Sequence, residues 1–160
     1  MKDIKNICYL GLGIALYVVL SATVKIPIIG HIQTDLGYVA FGAYCELFGP
    51  MGCVVGVFGC LIESLIFSGW IPAGWILGQI FIGITCGICY KKTKNRIVKT
   101  LVTIAALFVG IAVIKTVTEC LLYNIPFGIK FAKNLIASIA DANMIIGVLI
   151  AEKIKTKAIR

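Results

Sequence analysis

The chain has 160 residues, of which 60% are hydrophobic and only 14% charged, and its mean hydropathy is +1.03. Soluble domains are about half apolar, so this composition excludes a soluble globular protein and points to an integral membrane protein. A net charge of +8 does not read as nucleic-acid binding, because the basic residues gather in short stretches between apolar runs, as in the cytoplasmic loops of membrane proteins.

In chain order, the opening "MKDIKNICYLGLGIALYVVLSATVK" places basic residues ahead of an apolar run from Ile7 to Val24. That run is too long for a signal-peptide core and carries no clear A-x-A cleavage site, so it is expected to be a retained first helix. Further apolar stretches follow at 36–48, 51–67, 74–90, 100–122 and 134–151. Most are long enough to cross a hydrocarbon core of about 30 Å as helix; the second is short. The expected architecture is an all-α integral membrane protein of six transmembrane helices, forming a single transmembrane domain over residues 1–160.

Lysine and arginine set the direction. With the N-terminus cytoplasmic and an even number of crossings, Lys2 and Lys5, the segment "KKTKNRIVK" at 91–99, and Lys153, Lys155, Lys157 and Arg160 all fall inside. These are eleven of the fifteen basic residues. Lys25, Lys130 and Lys133 fall outside, and Lys115 lies within a span. The positive-inside rule therefore puts both termini in the cytoplasm of a multi-pass cell-membrane protein.

Ionisable groups within a bilayer are costly and usually face a protein interior or a wet cavity. With this topology Glu63 lies four residues short of the outer end of the third helix, Lys115 and Glu119 in the outer third of the fifth, and Asp141 about 10 Å below the outer end of the sixth. Gln79 sits at a similar depth on the fourth. These positions converge on one outward-facing layer beneath the turn "FSGWIPAGWILGQ" (67–79), which carries Trp70 and Trp75. The turn is expected to roof a polar pocket, with Asp35 in the first external loop beside it.

Plainer roles stay open for each residue. Lys115 and Glu119, four apart on one helical face, can neutralise each other. Glu63 and Asp141 can be held by hydroxyls or by Lys115, and the two tryptophans can be interfacial anchors. His31 reads as a solvated loop residue, and Glu46, near the inner end of the second helix, stands apart from the cluster. Gly11 and Ala15, and the pairs Gly52/Gly56, Gly74/Gly78 and Gly83/Gly87, are small-x-x-x-small spacings that let helices approach closely. The stripe on the first helix continues to Ala22 and can instead dock a partner protein.

Seven cysteines, mostly within apolar runs, read as small packing residues. Cys86 and Cys89 form a C-x-x-C without the following His of a haem site or the second pair of a zinc site. The sequence contains no G-x-x-x-x-G-K-[ST] phosphate loop, no H-E-x-x-H and no G-x-S-x-G. It therefore has no ATP site of its own and no recognised catalytic constellation, metal site or cofactor motif.

The segments "IALYVVLS", "DLGYVAFGAYCELFGPMGCVVGVFGCLIESL", "SGWIPAGWILGQIFIGITCG" and "IPFGIKFAKNLIAS" together resemble the substrate-binding S components of energy-coupling factor (ECF) vitamin transporters, over nearly the whole length. The resemblance implies a six-helix membrane protein that binds one micronutrient tightly near its external face. Implied partners are an ECF transmembrane coupling subunit and two cytoplasmic ATPases. An A-x-x-x-A stripe on the family's first helix would fall here on Gly11 and Ala15, with Gly in place of the first Ala. The implied mechanism is ligand entry from outside under the loops holding Asp35 and Trp70, then toppling of the whole subunit on the coupling subunit.

The substrate-binding set expected from these lines is Asp35, Glu63, Trp70, Trp75, Gln79, Lys115, Glu119 and Asp141. Aromatic Trp70, Trp75, Tyr123 and Phe127 can stack on a planar ring and the carboxylates can accept from ring N–H groups, which favours a flavin, pterin or pyrimidine. Lys115 suits a carboxylate such as that of pantothenate or biotin. The alternatives are a self-sufficient secondary carrier using Asp141, Glu119 and Lys115, against which stands the lack of an inverted repeat, or a membrane enzyme using Glu63 and Asp141.

Overall fold

Apolar side chains at almost every position of long segments, with no water to satisfy backbone groups, leave helix as the economical structure for this chain. The computed structural model describes residues 2–23, 25–29 and 32–158, with side chains over 4–23 and 34–157; His31 lies outside the described residues. Helix α1 runs Lys2–Thr23 and leads into a short antiparallel hairpin, β1 (Lys25–Ile29) and β2 (Ile32–Asp35). Then come α2 (Gly37–Phe48), a 3-10 turn (Gly49–Gly52), α3 (Cys53–Phe67) and α4 (Ala73–Lys92). Helix α5 (Arg96–Leu107) passes through a π-helical segment (Phe108–Lys115) into α6 (Thr116–Tyr123). After the turn at 124–126, α7 (Phe127–Ala140) passes through a second 3-10 turn (Asp141–Asn143) into α8 (Met144–Ala158).

Among the described residues five helical runs are long and apolar enough to cross a membrane: 4–23, 37–67, 73–92, 96–123 and 127–157. The second and third apolar stretches belong to one run, 37–67, which is folded at Gly49, so the five runs contain all six expected stretches. Gly49 has φ +67, a conformation that only glycine adopts without strain. A Cβ on Gly52 would lie 2.6 Å from the backbone of Cys45, and one on Gly56 would lie 2.6 Å from the Phe41 ring. So α2 and α3 lie side by side as a hairpin. Each is short, about 18 and 22 Å at 1.5 Å per residue, for the 12 and 15 residues they contain.

The core is built around Tyr17, Tyr38, Phe41, Ile82, Ile111 and Met144, all at most 1% exposed. The closest helix crossing is that of α2 on α8: a Cβ on Gly147 would collide with the Val39 carbonyl, and one on Gly42 with the Met144 carbonyl. Small residues here let two backbones touch. The paired glycines of α4 serve the same end, Gly78 facing Gly110, Gly83 facing Cys53 and Gly87 facing Gly49. All seven cysteines are free thiols, with Cys45, Cys60 and Cys86 buried. Large apolar side chains such as Leu12, Leu65, Leu101, Leu121 and Ile146 are exposed on the outer surface, the pattern expected of a lipid-facing wall.

Two ionic layers mark the ends of the bundle. At one end Glu46, only 4% exposed, accepts from Lys99 (2.9 Å) and from Lys155 (2.9 Å), and Lys99 also pairs with Glu152 (2.8 Å). Tyr9 of α1 meets Phe48 at this same end. Hence the start of α1, the 91–99 loop and the end of α8 share one face, the basic one. Glu46, without a clear role in the sequence, is the buried acid that ties α2 to α5 and α8.

Candidate functional site

At the opposite end, the last residue of β2 organises the entrance. The Asp35 carboxylate accepts from Tyr17 Oη (3.1 Å), from Ser21 Oγ (2.5 Å) and from the Gly37 backbone N–H (2.7 Å). The last of these is an Asx-type bond that starts α2. Its own backbone N–H donates to Asp141 Oδ1 (3.3 Å), and its carbonyl accepts from Asn143 Nδ2 (3.0 Å). One aspartate thus joins α1, α2 and the α7–α8 bend, where a 3-10 turn brings Asp141 round to the interior.

Around this junction is a cavity of about 350 Å³. Its walls carry Asp35, Glu63, Trp70, Trp75, Lys115 and Asp141, six of the eight positions expected from the sequence, together with Tyr17, Ser21, Ser64, Phe67, Lys133 and Asn134. Asp141 is 2% exposed, and the bond from Asp35 is the only one its side chain makes among the described residues. Among the described residues no ion pair reaches it, and Oδ2 keeps its capacity to accept. Trp75 is half-buried at the start of α4, while Trp70 is 46% exposed and packs edge-on against Tyr123 at 5.6 Å.

Lys115 ends the π-helical segment, a rare form that is frequent at functional positions. Its ammonium lies 3.6 Å from the centre of the Trp75 ring and donates to Asn134 Oδ1 (2.8 Å). Its distance to Glu119 is 3.9 Å, longer than the 3.1 Å from Lys130 to the same carboxylate. The expected Lys115–Glu119 neutralisation is therefore the weaker part of the arrangement: Lys130 pairs with Glu119, and Lys115 is held by an indole face and an amide.

Two expected residues lie outside the cavity wall. Gln79, fully buried, donates to Tyr17 Oη at 3.4 Å, with Oε1 beside Gly56 and unpaired among the described residues. It supports the wall through Tyr17. Glu119, 6% exposed, accepts from Asn134 (3.4 Å) and Lys130 behind the wall. Nor do Tyr123 and Phe127 line the space; Phe127 stacks on Phe131 at 5.6 Å. Asn134 was not singled out in the sequence, yet it binds Lys115, Thr116 (2.9 Å) and Glu119 at once. Its signal was an amide in an apolar helix, one heptad before Asp141. Gly11 and Ala15 are exposed on α1, and a Cβ on Gly11 would meet nothing within 4 Å.

The cavity therefore combines acceptors (Asp35, Glu63, Asp141), cations (Lys115, Lys133) and a tryptophan face. Among the described residues no group of three His, Cys, Asp or Glu side chains is arranged to hold a metal ion. A polar chamber of this kind near one end of a lipid-facing bundle has the form of a small-molecule site.

Comparison with known proteins agrees. The family model for the S component of the ECF-type riboflavin transporter matches residues 1–156, and the chain belongs to that family. Among curated relatives, a UPF0397 protein of Streptococcus thermophilus is 24% identical over 150 residues, covering 88% of this chain and 83% of its own. Another, from Lactobacillus johnsonii, is 26% identical over 167 residues, covering 98% and 89%. The fold is similar to that of the S component for biotin from an ECF-type ABC transporter, with a TM-score of 0.70 at 18% identity, over 97% of this chain and 93% of the other. It is thus a multi-pass membrane component of a transporter and not an enzyme.

Proposed function

We propose that this S component captures a flavin-type vitamin from the external side in the cavity beneath Trp70 and Trp75. The observation that carries the reading is the pairing in one chamber of the Trp75 indole with the Asp141 carboxyl, whose side chain takes a single bond among the described residues. A volume of about 350 Å³ lies at the small end of the ~300–1,000 Å³ range of ligand sites, which suits one ring system with a modest substituent. Trp75 supplies a stacking surface, and Asp141 and Glu63 accept from ring N–H groups. Asp35 shapes the mouth and Lys115 sets the indole face; Gln79 and Glu119 act from behind the wall. The riboflavin description of the matching family supports the same ligand class.

Transport in this reading needs partners. The ligand-loaded subunit docks through the exposed small stripe at Gly11 and Ala15 on an ECF transmembrane coupling subunit, and two cytoplasmic ATPases supply the work. A second reading, a carboxylate vitamin of the biotin or pantothenate type, is favoured by Lys115 and Lys133 at the cavity.

Titration of the purified protein with riboflavin, biotin and pantothenate, followed by tryptophan fluorescence, tests the assignment. Saturable quenching by riboflavin at stoichiometric concentration is expected. Quenching by biotin or pantothenate alone would select the second reading. Uptake by the reconstituted subunit without any ATPase would favour a self-sufficient carrier instead.

A further inference from the structure

The basic end of the bundle holds a feature the vitamin site does not use. Arg96, at the start of α5, donates through Nε to Glu152 (2.8 Å), while its side chain stays 65% exposed. The two terminal nitrogens make no hydrogen bond among the described residues, which leaves a planar fork suited to an oxyanion. Below it the two acids are already satisfied: Glu46 by Lys99 and Lys155, Glu152 by Lys99 and Arg96. Clefts of about 370 and 500 Å³ open beside Arg96, and they also hold Lys94, Lys153 and Lys157. These three lysines form no ion pair among the described residues, so the cleft carries a surplus of positive charge.

The same cleft is apolar along its floor. Ile150 and Ile154, 47% and 54% exposed, share it with Arg96, Lys153 and Lys157. On α8 these positions fall at i, i+3, i+4 and i+7, one helical face. One turn deeper on α8, half-exposed Leu149 lies in a recess that Arg96 also lines. A free phosphate would use the cations and leave this floor unused. A lipid uses both.

We propose that the cleft between α5 and α8 binds an anionic phospholipid of the cytoplasmic leaflet, its phosphate on Arg96 and Lys157 and an acyl chain along Ile150 and Ile154. Anionic lipids concentrate in that leaflet, and cations near its surface each add to the attraction. The site does not depend on which vitamin fills the cavity at the other end.

Native mass spectrometry of the full chain in detergent, with phosphatidylglycerol and phosphatidylcholine added in competition, tests this. Phosphatidylglycerol is expected to be retained preferentially, and the preference should fall roughly fivefold for each cation removed in Arg96→Gln and Lys157→Gln. Phosphatidylcholine, whose choline cation offsets its phosphate, should lose less than phosphatidylglycerol does. Because Arg96→Gln also removes the bond to Glu152, a Lys153→Gln/Lys157→Gln variant, altering only exposed lysines, provides the second measurement. Equal retention of the two lipids, an unchanged preference in the lysine variant, or full displacement of phosphatidylglycerol by equimolar inorganic phosphate would each overturn the proposal.

Discussion

Replacing Asp141 by Asn separates the two roles that a buried carboxylate can have. The side chain is 2% exposed, has no ion pair among the described residues and accepts one long bond of 3.3 Å from the Asp35 N–H. Asparagine keeps the shape and an acceptor for that N–H but puts an amide donor where Oδ2 accepts from the ligand. Leaving a ligand donor unsatisfied costs about 1–3 kcal/mol. The variant should therefore lose about 1–3 kcal/mol of ligand binding, roughly five- to 150-fold in Kd. Fold stability should hold, because the Asp35 N–H keeps its acceptor. Fluorescence titration with riboflavin gives the first quantity and thermal unfolding in detergent the second. Unchanged affinity would remove Asp141 from the site. A drop in both would mean that the carboxylate holds the α7–α8 bend together and that its charge is structural.

The other variants probe separate parts of the molecule. Asn134→Leu strands the Lys115 ammonium and the Thr116 hydroxyl, so thermal stability should fall by about 1–3 kcal/mol for each group left unpaired. Glu46→Gln removes one partner of a buried ion pair, a change that costs about 3–5 kcal/mol; since Lys99 keeps Glu152, the low end is expected in unfolding experiments. Vitamin affinity should be unaffected there, and a parallel loss would show that the basic end communicates with the cavity. Gly11→Leu and Ala15→Leu alter only the exposed face of α1, so ligand titration should match the parent protein while uptake with a co-reconstituted ECF module is abolished; normal uptake would shift the docking surface elsewhere.

Much of the candidate site is legible in the sequence because burying a charge in a membrane is expensive. Charges appear only where the fold has a use for them, so the depth of Glu63, Lys115 and Asp141 along their helices was enough to bring them to one layer. Depth alone does not say which way a side chain points. Gln79 and Glu119 have the right depth but sit behind the wall, one under Tyr17 and the other beyond Asn134. Asn134 leaves a fainter mark because a neutral amide carries a weaker insertion penalty than a charge. Glu46 lacked a role because its partners, Lys99 and Lys155, lie 53 and 109 residues away.

Hydropathy and the distribution of lysine and arginine determined the membrane class, the helical content and the sidedness, since each depends on transfer of single residues between water and hydrocarbon. The reversal at Gly49 that folds 37–67 into a hairpin was decided only in three dimensions. So were the placement of the Lys115 ammonium on Trp75 and the junction at Asp35. These depend on which helices touch and at what rotation, and such contacts between residues distant in the chain leave no periodic mark in a single sequence.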